Sequence, residues 1–317
     1  MSPQNEDTLA ALRDAARARG AGYRTARERL LAGGEWLDSA LRDPSRLETW
    51  PLRRLAEALR LWRADSGLCE SVARTAAGAV SRGPGTPVGG RVAPWDRAQE
   101  IVRLGATALP RVIELLWLER DWADDAELSA LLTAVFLFGD LRALAPVAAL
   151  LEGLRGHPGE QALCAETLGR LGHPAAEPPL LRLLADRTAG REPRREAARW
   201  LGLLGSGEAV ASLQRVFLDT AEPMLLRADA AVALGRLGGD LAATTLVAHL
   251  DLERSSSLVQ RMIEGLGHTG SPLALPDLRR LAGAHPDPFV RQEAATVAER
   301  LGQRLAGRQP RPFEWGS

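Results

Sequence analysis

Residue types that could carry chemistry gather in two places. Residues 186–200, DRTAGREPRREAARW, hold Arg187, Arg191, Arg194, Arg195 and Arg199 against only Asp186, Glu192 and Glu196. Guanidinium groups at that density grip a carboxylate-rich partner or a phosphate through paired N–H donors. Residues 119–127, ERDWADDAE, set Glu119, Asp121, Asp124, Asp125 and Glu127 around Trp122. That pattern starts a helix, with Asp capping exposed N–H groups, and it also offers negative charge to a basic partner. The histidines His157, His173, His249, His268 and His285 are scattered at Gly-His or Ala-His steps, with no two of them one helical turn apart. A metal site wants converging ligands, so they are expected as turn residues and no metal is expected. There is no G-x-S-x-G elbow and no Cys-His pair in useful context. The Gly/Pro-rich stretch 81–94, SRGPGTPVGGRVAP, lacks the G-x-x-x-x-G-K-[ST] pattern of a phosphate loop. No catalytic residue and no cofactor are expected from these motifs.

The elements that must position such residues are written in the composition and the periodicity. All 40 basic residues are Arg, and 40 acids balance them, so no global positive field favours a polyphosphate backbone and nucleic acid is disfavoured as a partner. The 45% hydrophobic content is that of globular material. Cys69 and Cys164 each sit inside an apolar helical pattern, which fits free buried thiols in a reducing, cytoplasmic setting. The start, MSPQNEDTLA, lacks the basic and apolar regions of a leader. The longest apolar run, LSALLTAVFLFG at 128–139, falls short of the ~20 residues that cross a bilayer; it predicts a buried helix and no membrane span.

Internal repetition organises the rest. Alignment on a helix-ending glycine places Gly105, Gly139, Gly172, Gly205, Gly238, Gly267 and Gly302 in one register, with intervals of 34, 33, 33, 33, 29 and 35 residues. Upstream lie the small pairs Ala197-Ala198, Ala230-Ala231 and Ala294-Ala295, where a neighbouring helix can approach closely. Downstream of each glycine runs a short polar turn and a second amphipathic stretch, so each unit is predicted to be two helices.

The stretches 192–219, 221–251 and 285–302 resemble the HEAT repeat family, in particular the short bacterial HEAT-like repeats named after phycobilin lyases. The resemblance implies an all-α fold, a right-handed α-solenoid of about eight two-helix repeats with a C-terminal capping helix. The expected organisation is residues 1–94 as degenerate helical repeats ending in the 81–94 loop, 95–306 as the regular array, and 307–317 as an extended, flexible tail. In such repeats a basic residue opening the first helix ladders with acidic loop residues; Arg194, Arg227 and Arg291 hold that place, whereas Gln161, Ser256, Leu128 and Pro94 break it. Related enzymes supply rival expectations. Deoxyhypusine hydroxylase is marked by His-Glu pairs, and this chain has no His-Glu step. Phycobilin lyases hold a tetrapyrrole, and alkylpurine DNA glycosylases use a basic cleft with Trp and Asp. Here Trp117 lies in apolar spacing that points to packing.

The second helix of each repeat is expected to line a concave groove. The tenth residue after each aligned glycine gives Leu115, Ala149, Arg182, Arg215, Ala248 and Asp277, a mixed row suited to a protein or peptide. The leading expectation is a non-enzymatic scaffold, adaptor or regulatory subunit. Its partner-binding residues would be Arg182, Arg215, Asp277, Arg187, Arg191, Arg195, Asp121, Trp122, Asp124 and Asp125. The alternative is a HEAT-like lyase or glycosylase-type enzyme acting on a ligand or nucleobase in the groove.

Overall fold

The computed structural model of the protein describes residues 3–32, 47, 49–78, 93–118, 125–205 and 207–307. Among them every regular element is a helix. The chain divides into two compact units, residues 1–171 and 172–317. The first holds α1 (Pro3–Arg17), α2 (Gly20–Leu31), α3 (Trp50–Ala64), α4 (Ser66–Ala76), α5 (Pro94–Arg103), α6 (Leu109–Trp117), α7 (Asp125–Phe138), α8 (Leu144–Gly153) and α9 (Pro158–Arg170). The second holds α10 (Glu177–Ala185), α11 (Arg191–Leu204), α12 (Gly207–Leu218), α13 (Met224–Leu237), α14 (Gly239–Val247), α15 (Ser256–Thr269), α16 (Leu275–Ala284) and α17 (Pro288–Leu305). This is the all-α solenoid of two-helix repeats. No described helix is long and apolar enough to cross a membrane; α7, which carries the longest apolar run, buries Leu128, Ala130, Leu131, Leu132, Ala134 and Val135 instead.

Local chemistry sets the helix ends. Pro94, Pro158 and Pro288 occupy first-turn positions, where a missing N–H costs nothing. The Asp65 and Asp287 carboxylates accept from the Leu68 and Phe289 backbone N–H, each at 2.8 Å, satisfying donors that the helix leaves open. At the other end Gly105, Gly139, Gly172, Gly205, Gly238 and Gly270 all have positive φ, between 63° and 96°. These are the true repeat markers, and they fall 32 to 34 residues apart.

Two glycines of the predicted register are therefore corrected. Gly267 lies inside α15, which continues to Thr269 and ends at Gly270, φ 68°. Gly302 lies inside α17, which runs on to Leu305. The E-G-L-G string of α15 imitates the repeat's terminal motif because it carries small residues for a different reason, which the packing reveals.

In the second unit the first helices α11, α13, α15 and α17 pack in succession, and glycine lets them come close. A Cβ on Gly202 would sit 2.6 Å from the Ala233 Cα, one on Gly235 2.0 Å from the Gly265 carbonyl oxygen, and one on Gly267 2.7 Å from Val297 Cγ1. Gly202, Gly235 and Gly267 each stand three residues before a terminating glycine, so the recurring G-x-x-G has two jobs: the first glycine is contact surface, the second is the stop. The predicted alanine pairs take part as well, since Ala230 and Ala231 are fully buried and a Cβ on Gly265 would meet the Ala231 carbonyl oxygen at 2.5 Å. The second helices meet more sparingly, for example through Gln214 Nε2 donating to Thr245 Oγ1 at 2.7 Å. Within this unit the first helices are therefore the more closely packed of the two layers.

Gly235→Ala should lower the melting temperature, because overpacking against backbone costs about 1–3 kcal/mol and outweighs the gain in helix propensity. Gly302→Ala, whose Cβ would meet nothing within 4 Å, should instead stabilise by about 0.5–1 kcal/mol. Thermal unfolding by circular dichroism checks both; equal effects of one sign would contradict the assigned contacts.

Candidate functional site

The Arg-rich segment 186–200 is built into a ladder by acids one repeat further on. Arg194 is buried at the start of α11. Its Nε donates to the Leu184 carbonyl at 2.9 Å, and Nη1 and Nη2 donate to the two Glu222 oxygens at 2.7 and 2.8 Å. Arg227 repeats the rung, donating from Nε to the Phe217 carbonyl at 2.9 Å and pairing with Glu253 at 3.1 Å. Arg291 keeps only the backbone half, to the His285 and Pro286 carbonyls at 2.7 and 3.0 Å. Each such Arg ties the last carbonyls of one helix to the start of the next. Arg194 beside Glu222 holds that carboxyl below the ordinary glutamate range.

Against this rung lies a cleft of about 110 Å³ lined by Leu184, Ala185, Arg187, Arg194, Ser212, Arg215, Val216, Asp219 and Glu222. Arg187 enters it from the α10–α11 turn and pairs with Asp219 and with Glu222, the latter at 3.2 Å. Asp219 also accepts from the Ala221 backbone N–H at 2.9 Å, and that bond, with Arg187, holds its carboxyl low. Arg194 is committed to Glu222. Arg215, exposed on the face of α12, makes no side-chain hydrogen bond or ion pair among the described residues. Three guanidinium groups thus meet two carboxylates in a concavity with an apolar wall, and the surplus charge sits on Arg215. The arrangement suits an incoming carboxylate or other small oxyanion.

The other predicted site residues do not share this cleft. Arg195 pairs with Glu192 at 3.1 Å and with Asp229 at 2.6 Å, and Asp229 in turn meets Arg261 at 3.3 Å; its charge is spent on holding α11, α13 and α15 together. Arg191 is exposed at the start of α11, and Arg182 is exposed on α10. Asp277 pairs with Arg280 at 3.0 Å on α16. With the register set by Gly270, Arg280 and not Asp277 is the counterpart of Arg182 and Arg215. Asp125 opens α7, while Asp121, Trp122 and Asp124 lie outside the described residues, as does most of the tail. His173 and His285 are turn residues, their Nδ1 atoms accepting from Ala175 and Asp287 backbone N–H at 3.1 Å each. His268 instead lies exposed within α15, and partial desolvation with Arg236 nearby lowers its pKa.

A second charged cluster had no counterpart in the sequence reading. Glu114 on α6 is buried, and its carboxylate accepts from the Tyr23 hydroxyl at 2.6 Å, Arg27 at 3.2 Å, Trp62 Nε1 at 2.9 Å and Arg111 at 2.7 Å. Arg27 and Arg111 both lie against the Trp62 ring, at 4.4 and 4.9 Å. Burial, then the Glu114 charge, pushes the Tyr23 hydroxyl well above its ordinary pKa, and the adjacent Cys69 thiol is pushed up to about 12. The signal was available: Arg111 and Glu114 are charged residues inside the otherwise apolar run LPRVIELLW. Trp117 packs as expected, 4.7 Å from the Trp50 ring and covered by Arg19 at 4.5 Å.

The fold and cleft together define a class, a HEAT-like solenoid with a small basic recess. Residues 161–186 and 193–219 match the family model described as PBS lyase HEAT-like repeat, and these segments are repeats of that type. No curated protein matches the chain. Among solved structures, the complex of CpcE and CpcF of phycocyanin lyase from Nostoc sp. is similar at 18% identity and a TM-score of 0.41, over 72% of this chain and 99% of that one. Human deoxyhypusine hydroxylase in complex with glycerol is similar at 20% identity and a TM-score of 0.34, over 74% of this chain and 86% of that one. The expectation of a non-enzymatic scaffold is overturned by the family match, which is to repeats named for a lyase. Arg187, Arg195 and Asp277, three of the charges expected to meet a protein partner, are already held in ion pairs within the unit.

Arg194→Ala leaves the buried Glu222 with Arg187 alone, at 3.2 Å, and should cost about 3 kcal/mol in chemical denaturation, whereas Arg215→Ala should leave stability unchanged. Because the folded Glu222 carboxyl is held below its ordinary value of 4.5, the rung stabilises fully above that pH and is lost as pH falls through the lower folded value. Unfolding measured between pH 7 and 3 should show that loss, and Glu222→Gln should flatten it.

Proposed function

We propose that the chain is a lyase-type HEAT-like protein that takes a small carboxylate-bearing ligand, with one ligand carboxylate seated on Arg215. The observation that supports this is a coincidence of position. The two segments that match the PBS lyase HEAT-like repeat model supply Leu184, Ala185, Arg194, Ser212, Arg215, Val216 and Asp219 of the cleft. A linear tetrapyrrole with carboxylate side chains is the ligand that the resemblance to phycobilin lyases suggests.

The chemistry of the cleft is that of binding and orientation. Arg215 offers paired N–H donors to a carboxylate, and the Ser212 hydroxyl lines the same recess. Leu184 and Val216 provide apolar wall, while the Arg187–Asp219 and Arg194–Glu222 pairs keep the surrounding charges fixed. At about 110 Å³ the recess accommodates the anionic group and leaves the conjugated body outside, accessible to reaction. None of the lining residues is an activated nucleophile, so the reacting group must come from the second substrate.

Titration of the full chain with biliverdin should shift and sharpen the visible absorption band on binding. Arg215→Ala should weaken binding about tenfold, the loss expected for one charge-assisted contact of about 1.4 kcal/mol, and the dimethyl ester should bind correspondingly less well. The absence of any spectral change, or identical binding by wild type and Arg215→Ala, would refute the proposal.

A further inference from the structure

A recess in the 1–171 unit has no part in the function just proposed. Its volume is about 470 Å³, within the usual range for small-molecule sites, and it opens along one face of α3. Glu57, Arg60, Leu61 and Ala64 are spaced to share that face, and opposite them stand Thr107 in the turn before α6, Pro110 in the first turn of α6, and Arg142 in the turn before α8. Leu61, Ala64 and Pro110 make an apolar bed with polar groups at its rim.

Most of the rim charge is spoken for. Arg142 is clamped by Asp140, with Nε at 3.0 Å and Nη2 at 2.7 Å from Oδ2, and lies 3.9 Å from Glu57. This pairing holds the Asp140 carboxyl below its usual range. Glu57 is itself bound by Arg54 at 2.7 Å. Arg60 is exposed and makes no side-chain hydrogen bond or ion pair among the described residues, and the same holds for the Thr107 hydroxyl. Arg54, Arg60 and Arg142 against Glu57 and Asp140 leave one positive charge over, and it resides on the one unpaired guanidinium.

We infer that this recess is a binding site for a small apolar monocarboxylate, its carboxylate on Arg60 and Thr107 and its hydrocarbon body on the bed of Leu61, Ala64 and Pro110. A single surplus charge balances a monoanion and leaves a phosphate dianion under-neutralised. An apolar floor stabilises a hydrocarbon body at roughly 25 cal/mol per Å² covered, which a bare inorganic anion cannot use. The site lies in a different unit from the Arg215 cleft and does not depend on the tetrapyrrole proposal.

The test uses 2-naphthoate as probe, with 2-naphthamide and inorganic phosphate as controls, by isothermal titration calorimetry on the full chain. In Arg215→Ala, which removes the other carboxylate cleft, naphthoate should bind with one site. The uncharged amide should bind at least about tenfold more weakly, and phosphate should not displace naphthoate at millimolar concentration. Arg60→Ala should weaken naphthoate about tenfold, and Ala64→Trp, which fills the recess from an exposed position, should abolish binding while circular dichroism stays unchanged. The Arg60→Ala and Ala64→Trp losses should be the same in the Arg215→Ala background, which separates this site from the other cleft. No naphthoate binding, equal binding in Arg60→Ala, or displacement by phosphate would each overturn the inference.

Discussion

The second unit depends on the contact between the backbones of α13 and α15. Where Gly235 faces Gly265 there is no room for a single methyl group on the first, since it would fall 2.0 Å from a carbonyl oxygen. Close-packed interiors transmit such constraints because neighbours have no voids to retreat into. The contact therefore sets the advance from one repeat to the next, and with it the distance that every side-chain rung must span. Arg194 reaches Glu222, and Arg227 reaches Glu253, because the end of one helix pair is delivered beside the start of the next. The Arg215 cleft lies beside one such rung, between residues of α10, α12 and the turns that join them to α11 and α13.

Much of this architecture is legible in the chain itself. A glycine every 32 to 34 residues after an apolar helix is a local signal, generated within one turn by the need for a left-handed residue, and Gly105 through Gly238 obey it. The failure at Gly267 has a physical cause. That glycine is dictated by Val297 on the following helix, a tertiary demand that leaves a mark resembling a terminal motif. The error then propagated to the second helix, where counting from Gly267 selected Asp277 in place of Arg280. The alanine pairs pointed to the correct layer for close approach, with Ala230 and Ala231 fully buried against the neighbouring first helix.

Charge was harder to read than glycine for the same reason. Net neutrality and a locally basic segment were both visible, but the acids that answer Arg187, Arg194 and Arg195 are Asp219, Glu222 and Asp229, about one repeat away. The Glu114 cluster shows the extreme case, with its donors drawn from α2, α3 and α6. Each polar residue looked like an exception within its own helix, and only their convergence explains them.

The two charged clusters also differ in what they can do. A carboxylate offers about four acceptor positions, and Tyr23, Arg27, Trp62 and Arg111 occupy those of Glu114 in a buried setting. Nothing remains for a ligand, so that cluster ties helices together, and removing any donor exposes an unmet buried charge. Around Asp219 and Glu222 the balance is reversed: both acids already hold an arginine, and a guanidinium on α12 is left over. Because Arg187 and Arg194 occupy the two acids, Arg215 is the guanidinium open to an incoming anion. The same distinction, a surplus cation beside fully committed pairs, marks Arg60 in the first unit, so that in a chain with no net charge the capacity to bind anions arises from where pairing is incomplete.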